Sequence, residues 1–486
     1  MLMCISCSSK TAVTENGYNS VVDELYGLDE ISYISYADYV DKVGDKSRVS
    51  QVDNTSSYNS NTYRARAYNG NNTYDSNTDD MLLVYYGNKN RLKWGKNELE
   101  KVVMHTFKDG HRDWFFPTFL YIEFKNDAGL KFGDNQPGDH GPANKEQWEW
   151  LLNRYFSTAY NGGNYEGLKA LDECIEDCKR VLGTPTFKHK VVLTVPSPCT
   201  NFTEWGSIKV NGKNVKLDFR NSNHKLEAVK WYINELVNRF NAQHYKNITL
   251  AGLYWVEEST SMTIWHKESG KWTNKRNNKY EYVFDTKAKR HNDIIAGVSN
   301  YVHSIRGLKF YWIPYSGAYG KDLWRTLGFD RCDIQTGYFW GTPDHLRNPK
   351  ALKPISELKS ICSAALRDGK GLEFEISSDL FAPCYGKIKK KKDRESPYEI
   401  MKVKDCTKTP NEMRASGYTR FNYNPCLLAR LVNLMDVFEE MGVFDRANLS
   451  YYFDNSAILN LCNSRDKEVV ELVDRLARHI SKRKSN

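Results

Sequence analysis

The chain has 486 residues, of which 40% are hydrophobic and 27% are charged, a composition typical of folded globular proteins and not of fibrous or disordered ones. No apolar run approaches the roughly 20 residues of a membrane-spanning helix, which excludes a protein that crosses a bilayer. The net charge of +9 is small for this length and, apart from one short run at 387–392, forms no basic stripe, so we expect no nucleic-acid partner.

The N-terminus contains a pattern that resembles the end of a bacterial lipoprotein signal. Ile5 and Ser6 precede Cys7, and a polar segment follows, although the basic and long apolar parts of such a signal are missing. We expect residues 1–16 to be a lipoprotein-like N-terminus lipidated at Cys7, with an ordinary unstructured start as the alternative. Lipidation predicts an exported outer-membrane or cell-surface lipoprotein, with the periplasmic side also open, that meets the membrane only through its anchor.

Residues 46–80 are rich in Asn, Ser, Thr and Asp and poor in apolar residues. Such a segment buries little surface, which predicts a linker. Residues 17–45 hold a few hydrophobic side chains and predict a small N-terminal element. From 81 to 486 short strand-like runs alternate with helical ones, which predicts one large domain preceded by a low-complexity N-terminal segment.

Eight segments of this domain are bounded by Gly, Pro, Asn or Ser, and most are rich in β-branched or aromatic residues, which predicts strands. They are Leu82–Tyr86, Phe115–Phe124, Val191–Val195, Thr249–Val256, Lys309–Ile313, Asp333–Tyr338, Gly371–Ile376 and Leu449–Phe453. Hydrophobic periodicity predicts helices at 224–243, 355–366, 425–441 and 466–480. Eight strands with helices between them predict an α/β fold, the (β/α)8 TIM-type barrel. The competing open doubly wound sheet usually has a glycine-rich phosphate loop after its first strand, and none is present.

A (β/α)8 barrel carries its active site at the carboxyl ends of its strands, and glutamates stand there on strands four and seven. Glu257 and Glu258 end the fourth strand, Glu373 and Glu375 lie on the seventh, and Glu123 lies on the second. Carboxylates from strands four and seven can meet over a single sugar ring. Hydrolysis of a glycosidic bond needs such a pair, one protonated to supply the leaving oxygen with a proton and one ionised to attack or support the anomeric carbon.

An acid/base on strand four and a nucleophile on strand seven is the arrangement of the (β/α)8 superfamily of retaining glycoside hydrolases, which this pattern resembles. In that superfamily the acid commonly follows an Asn, whereas here Glu257 takes the Asn position and Glu258 the acid position. The stretches Gly252–Ser259, Leu82–Asn88 and Gly371–Ser377 also resemble domain of unknown function 4855, found in exported Bacteroides-type lipoproteins, over most of 80–480. This resemblance implies a carbohydrate-acting context and assigns no catalytic residue.

By the first resemblance, Glu258 is the expected general acid/base and Glu375 the expected nucleophile, with Glu257 and Glu373 as alternates. Glu375 is preferred to Glu373 because it lies nearer the strand end, and both point to the same face since strand side chains alternate. Alternation does not choose between Glu257 and Glu258, which point to opposite faces unless a bulge intervenes. For each glutamate alone, an ordinary ion pair is the alternative.

Aromatic and planar polar side chains at or after the predicted strand ends form a candidate substrate-binding set. Aromatic rings stack on the apolar faces of sugars, and planar polar groups pair with sugar hydroxyls. The set is Tyr85, Tyr86, Asn88, Trp255, Trp312, Tyr315, Gln335, Tyr338, Trp340, Asp454 and Asn455. For Trp255 and Trp312 the alternative is packing against helices. The loop Gly133–Pro142 is expected to be a plain surface loop, with a subsite as its alternative.

These features predict an exported, monomeric glycoside hydrolase that acts on a polysaccharide or host glycan with retention of configuration. We expect a carbohydrate substrate and no cofactor. No His pair has ligand spacing and no Cys spacing suggests zinc, so we predict no metal and free buried thiols. A non-catalytic glycan-binding surface lipoprotein on the same barrel is the first alternative, and a structural or adhesion protein is the second.

Overall fold

The computed structural model describes residues 80–134, 139–157, 166–210, 212–260, 294–339, 353–388, 398–403, 406–454 and 456–484, together with the backbone of strands at 33–35, 262–268, 271–273 and 281–285. The predicted lipoprotein-like segment 1–16 with Cys7, and residues 46–79 of the predicted linker, lie outside the described residues. The chain divides into two compact units, a large barrel unit and a smaller sheet unit.

In the described part of the chain, eight parallel strands form a closed barrel in the order β5-β6-β7-β8-β1-β2-β3-β4. They are β1 (Asp80–Tyr85), β2 (Thr118–Ile122), β3 (His189–Val195), β4 (Ile248–Trp255), β5 (Lys309–Trp312), β6 (Arg331–Gln335), β7 (Gly371–Glu375) and β8 (Leu449–Tyr452). Gly252 of β4 stands opposite Lys309 of β5, and Leu449 of β8 stands opposite Asp80 of β1. The predicted α/β fold, a (β/α)8 TIM-type barrel, is therefore confirmed.

Helices separate most of these strands along the chain. The longer ones are α1 (Lys96–Val103), α2 (Lys145–Tyr155), α3 (Gly167–Leu182), α4 (Ser222–Ala242), α5 (Ile295–Ser304), α6 (Ile355–Arg367), α7 (Pro425–Glu440) and α8 (Lys467–Lys484). The four predicted helices are present. The residues at the two ends of α7 explain why the bounds of this helix could be predicted. The side chain of Asn424 accepts hydrogen bonds from the amides of Cys426 and Leu427, and Gly442 beyond its end has φ of 64°.

Each barrel strand differs from its predicted bounds by at least one residue, and β2 and β6 differ most. β2 is shorter than Phe115–Phe124 because the amides of Phe115 and Phe116 donate to carbonyls of the α1 end instead of to a neighbouring barrel strand, and Pro117 has no amide hydrogen to donate. β6 begins earlier and ends at Gln335, because Gly337 has φ of 60° and turns the chain. That turn becomes part of the site described below.

Side chains of the barrel strands alternate between the barrel interior and the helices outside. The interior is lined by a buried cluster from several strands: Met81, Leu83, Tyr85, Leu120, Ile122, Val192, Tyr254, Tyr311, Ile313 and Tyr452. On β7, Phe374 points outward, since its ring lies 5.8 Å from that of Phe438 on α7. Glu373 and Glu375, one residue to either side, therefore point into the barrel.

The barrel unit carries three smaller sheets in its connections. Met104–Thr106 pairs with Arg112–Trp114, Gly206–Val210 pairs with Lys213–Leu217, and Tyr398–Lys402, Cys384–Ile388 and Thr419–Phe421 form a three-stranded sheet after β7. The second unit is an antiparallel sheet in the order Tyr33–Ser35, Glu281–Asp285, Met262–Glu268, Lys271–Thr273. Its strand Tyr33–Ser35 falls within the predicted small element of 17–45, and its other three strands lie between β4 and β5 in the sequence.

Within the described residues, the longest helices lack the apolar stretch that a membrane crossing requires. The nine cysteines in the same part of the chain are free thiols. Six of them are buried, whereas Cys199, Cys406 and Cys462 are partly exposed, so the expectation of buried thiols is wrong for these three. Among these residues, no group of three or more His, Cys, Asp or Glu side chains is placed to hold a metal ion.

Candidate active site

The carboxyl ends of β4, β6 and β7 bring Glu258, Gln335 and Glu375 together. The side-chain amide of Gln335 donates to Oε1 of Glu258 at 2.9 Å and to the carbonyl of Ile313 at 3.1 Å. Glu375 is the last residue of β7 and points into the barrel mouth. Its charge acts on Glu258, as the pKa direction given below shows. The glutamates predicted from strands four and seven are therefore near enough for the charge of Glu375 to act on Glu258.

Glu375 is held by the turn that follows β6. Oε2 of Glu375 accepts a hydrogen bond from Oγ1 of Thr336 at 2.6 Å and one from the amide of Gly337 at 2.5 Å. The side chain of Glu375 is almost completely buried, with 1% of the residue exposed. Two donors aimed at one carboxylate oxygen fix the side chain in a single orientation toward the barrel axis.

A buried arginine and a lysine support this turn from outside the barrel. Arg430 of α7 is fully buried; its Nε donates to the carbonyl of Tyr338 at 3.0 Å, and its guanidinium lies 3.9 Å from the centre of the Tyr338 ring. Arg430 also donates to the carbonyl of Lys353. Nζ of Lys353 in turn donates to the carbonyl of Thr336 at 3.0 Å. Arg430 and Lys353 therefore bind the backbone carbonyls of the turn, and the donors of the same turn bind Glu375.

The surroundings of Glu258 favour its protonated form. Burial is the main reason why the pKa of Glu258 is raised, and the negative charge of Glu375 raises it further. The hydrogen bond from Gln335 and the charge of Lys131 act in the opposite direction. A carboxyl group whose pKa is raised beside an ionised partner is suited to donate a proton to a leaving group.

Glu257 faces a different part of the mouth. Its Oε1 accepts a hydrogen bond from the amide of Asp134 at 2.7 Å, and its backbone carbonyl accepts one from Nε1 of Trp312 at 2.6 Å. Burial, followed by the charge of Asp134, raises the pKa of Glu257 to about 7. A Cβ atom added at Gly133 would lie 2.1 Å from Oε1 of Glu257. The expectation of a plain surface loop is therefore wrong for residues 133 and 134, which border the site.

Glu373 lies one step deeper in the barrel than Glu375. It stands opposite Gln335 of β6 and Ser450 of β8, and it is 3% exposed. Burial raises the pKa of Glu373 well above its ordinary value, and the charges of Glu375 and Glu258 add to the effect. At this depth Glu373 lies beneath the pair at the mouth, so Glu375 is the better placed of the two to reach a substrate.

Several of the predicted substrate-binding aromatic residues belong to the barrel wall. Trp255 lies near Phe310, Trp312 stacks on Phe329 at 5.0 Å, and Tyr86 meets Tyr121. Tyr338 lies under Arg430. Each is at most 2% exposed. Strand alternation turns Trp255 and Trp312 toward the helices, whereas Tyr338 is held in the turn after β6 by Arg430. These four side chains, Tyr86, Trp255, Trp312 and Tyr338, are therefore packing residues, and the substrate contacts predicted for them are wrong.

Among the remaining predicted residues, some form hydrogen bonds within the protein and others face the barrel interior or solvent. The side chain of Asn88 donates to the carbonyl of Asn126 at 2.5 Å, and Asp454 accepts from the hydroxyl of Ser378 at 2.7 Å. Tyr85 points into the barrel with 6% exposed, and Tyr315 is 37% exposed. Trp340 and Asn455 lie outside the described residues.

The structure adds residues to the site that the sequence did not single out. Thr336 and Gly337 bind Glu375, and Asp134 binds Glu257. Glu123, the other glutamate noted at a strand end, is instead paired with Arg91 at 2.9 Å and has no exposed side-chain surface. For Gly337 the sequence carries a usable signal, since a glycine directly after a strand often marks a turn.

The chain is similar to one protein family and to several solved structures. A family model described as domain of unknown function (DUF4855) matches residues 80–404, and none of the curated proteins compared with the sequence matches it. A group IV chitinase of Ostrinia furnacalis in complex with allosamidin is 9% identical over 82% of this chain and 99% of that one, with a TM-score of 0.33. A GH5-4 broad-specificity endoglucanase from an uncultured bacterium is 10% identical over 80% and 97%, with a TM-score of 0.31. A mutant protein in complex with xylotriose is 10% identical over 78% and 85%, with a TM-score of 0.30.

Proposed function

The chain belongs to the family described as domain of unknown function DUF4855, and we propose that it is a glycoside hydrolase that cleaves its substrate with retention of configuration. The observation that carries the proposal is the group of Glu258, Gln335 and Glu375 at the mouth of the barrel. Two carboxyl groups from β4 and β7, held in different environments, meet the chemical requirement of glycosidic bond cleavage.

In the proposed reaction, Glu375 attacks the anomeric carbon while Glu258 transfers its proton to the leaving oxygen. The attack forms a covalent bond between Oε1 or Oε2 of Glu375 and the sugar, and the leaving group departs as a neutral alcohol. Glu258, now ionised, takes a proton from water, and that water displaces Glu375 from the sugar. The buried site, which raises the pKa of Glu258, supplies the protonated form that the first step needs.

A screen of plant and host glycans with Glu258→Gln and Glu375→Gln tests this proposal. We expect the wild type to release sugars, and each variant to lose at least about 1,000-fold in kcat, because each removes a reacting group. Glu146→Gln is the matched control, since Glu146 is exposed on the first turn of α2. NMR of the first product formed should show the anomeric configuration of the substrate.

Rescue experiments separate the two roles. A substrate with a good leaving group, such as a dinitrophenyl glycoside, needs no proton from Glu258 in its first step, so Glu258→Gln should still form the glycosyl-enzyme rapidly. Azide should restore turnover of Glu375→Ala by replacing the missing nucleophile, with an inverted glycosyl azide as product. Turnover unchanged in both Gln variants would refute the carboxylate pair, and glycan binding without any turnover by the wild type would favour the non-catalytic glycan-binding alternative.

We further propose that the protein is exported, lipidated at Cys7 and monomeric, and that it uses no cofactor. The support for export and lipidation is the Ile5-Ser6-Cys7 pattern at the N-terminus. Expression in a bacterium supplied with labelled palmitate, followed by membrane fractionation, should label the wild type and leave Cys7→Ser unlabelled and soluble. Label retained by Cys7→Ser would refute lipidation at this residue.

A further inference from the structure

The connection between β5 and β6 exposes two aromatic side chains at the mouth of the barrel. Tyr315 and Tyr319 are each 37% exposed, and they belong to the small group of large hydrophobic residues exposed in the described part of the chain. Burial nevertheless raises the pKa of the Tyr319 phenol, so this side chain is partly embedded in the protein and partly open to solvent. Residues 313–319 follow the carboxyl end of β5, the side of the barrel that carries Glu258 and Glu375.

This connection is bound directly to the strands that carry the site. The amide of Gln335 donates to the carbonyl of Pro314 at 3.0 Å, while the side chain of the same Gln335 donates to Glu258. The amide of Tyr319 donates to Oγ of Ser259 at 3.3 Å, and Ser259 directly follows Glu258. Both ends of the segment 314–319 are therefore fixed next to the proposed acid/base.

The middle of the segment is also anchored. Nζ of Lys353 donates to Oγ of Ser316 at 3.0 Å and to the carbonyl of Thr336 at 3.0 Å, so the segment is joined to the turn that holds Glu375. A Cβ added at Gly317 would lie 3.5 Å from Cε2 of Tyr315, which places this ring against the segment's own backbone. A segment fixed at three points holds its aromatic rings in place before any ligand arrives, which reduces the entropy lost on binding.

We propose that Tyr315 and Tyr319 form the platform for the sugar on the leaving-group side of the bond to be cleaved, an inference that rests on the proposed hydrolase function. Glu258 is the group that gives its proton to the leaving oxygen, so the surface beside Glu258 receives the leaving group. The occupant is a pyranose unit, whose apolar C–H face stacks on a tyrosine ring. By this proposal the enzyme cleaves bonds between two sugars, and it recognises the sugar on the leaving-group side by stacking.

Substrates with and without a second sugar test the platform. The α- and β-fluorides of glucose, galactose, mannose and xylose have a leaving group of a single atom, whereas the glycans of the screen above leave a sugar. We expect the double variant Tyr315→Ala/Tyr319→Ala to lose about 10- to 100-fold in kcat/KM on such glycans and less than about twofold on the fluorides. Val181→Ala is the control, since Val181 is 53% exposed at the end of α3.

Equal losses on glycans and fluorides, or unchanged kcat/KM on glycans, would overturn the platform. Failure of the hydrolase proposal looks different, because the wild type would then release neither fluoride nor sugar. In that case an array of plant and host glycans decides about the platform. Retention by the wild type that is lost in the double variant supports it, whereas equal retention by both proteins, or retention of no glycan by either, overturns it.

Discussion

Glu257 and Glu258 are neighbours in the chain, and the barrel gives their carboxyl groups different partners. Glu258 meets Gln335 of β6, and Glu257 meets the amide of Asp134. Both carboxyl groups have raised pKa values, mainly because of burial. Only Glu258 has the charge of Glu375 among the causes of its shift. The charged partner, and not the raised pKa, therefore distinguishes Glu258 from Glu257.

The raised pKa of Glu257 predicts a pH-dependent stability that substitution removes. The folded protein holds this proton up to a pKa of about 7, against an ordinary value of 4.5, so its free energy of unfolding falls as the pH rises between these values. Gln stays neutral and still accepts the hydrogen bond of Asp134. We expect Glu257→Gln to match the wild type near pH 4.5 and to exceed its free energy of unfolding by about 3 kcal/mol at pH 8.

Urea denaturation at pH 4.5 and pH 8 measures this difference. Glu146→Gln serves as the control because Glu146 is exposed, and we expect its effect on the free energy of unfolding to be below about 0.5 kcal/mol at both pH values. A wild type that is as stable as Glu257→Gln at pH 8 would show that the Glu257 carboxylate is stabilised in the folded state, contrary to the raised pKa.

At the scale of the elements, the turn after β6 connects a barrel strand to the candidate site, because it binds the side chain of Glu375. Thr336 is fully buried, and its hydroxyl donates to Glu375 at 2.6 Å. Thr336→Val removes this donor and keeps the shape of the side chain. We expect kcat on the glycan cleaved by the wild type to fall about 10- to 100-fold, because Glu375 loses a hydrogen bond that orients it, while KM changes little.

Thr336→Ser is the matched variant for this experiment, since it keeps the hydroxyl and loses only a methyl group. It should retain kcat within about fivefold of the wild type, although a small cavity lowers its stability by about 1 kcal/mol. A kcat that follows stability in both variants, and not the presence of the hydroxyl, would assign Thr336 a packing role only.

The elements were largely predictable because local sequence and position in the fold agree. The strand β4 combines β-branched and aromatic residues with a preceding Asn, and β7 begins at a glycine. The helix α7 has an Asn cap, a proline in its first turn and a glycine after its end. Residues 336–338 were predicted as strand because Thr and Tyr favour strands. Their turn depends on the positive φ of Gly337 and on contacts with Arg430, which lies 92 residues away in the sequence.

The sequence allowed a prediction of which strand ends carry carboxyl groups. It did not allow a prediction of the direction in which the side chains point. Alternation places Trp255 and Tyr254 on opposite faces of β4, and it does not say which face is inside. The structure turns Tyr254 into the barrel and packs Trp255 next to Phe310. A contact such as that of Asp134 with Glu257 depends on how a loop folds back, which hydrophobic pattern does not encode.

At the scale of the whole molecule, the barrel closes where the first strand meets the last. Leu449 of β8 stands opposite Asp80 of β1, and the C-terminal helix α8 reaches the same seam. Nε of Arg483 lies 2.9 Å from Oδ2 of the buried Asp80, and Lys484 donates to the carbonyl of Trp114. The two ends of the barrel sequence are therefore joined by strand pairing and by a buried ion pair, so α8 takes part in closing the barrel.

This ion pair predicts a large and non-additive effect on stability. Asp80→Asn leaves the charge of Arg483 buried without its carboxylate, so we expect a loss of about 3 kcal/mol in the free energy of unfolding. The double variant Asp80→Asn/Arg483→Met removes both charges and should lose less than the sum of the single variants. Urea denaturation of the full chain measures all three, with Lys482→Met as control because Lys482 and its partner Asp445 are exposed by 63% and 58%. A loss from Asp80→Asn no larger than that from Lys482→Met, about 0 to 1 kcal/mol, would mean that strand pairing alone closes the barrel.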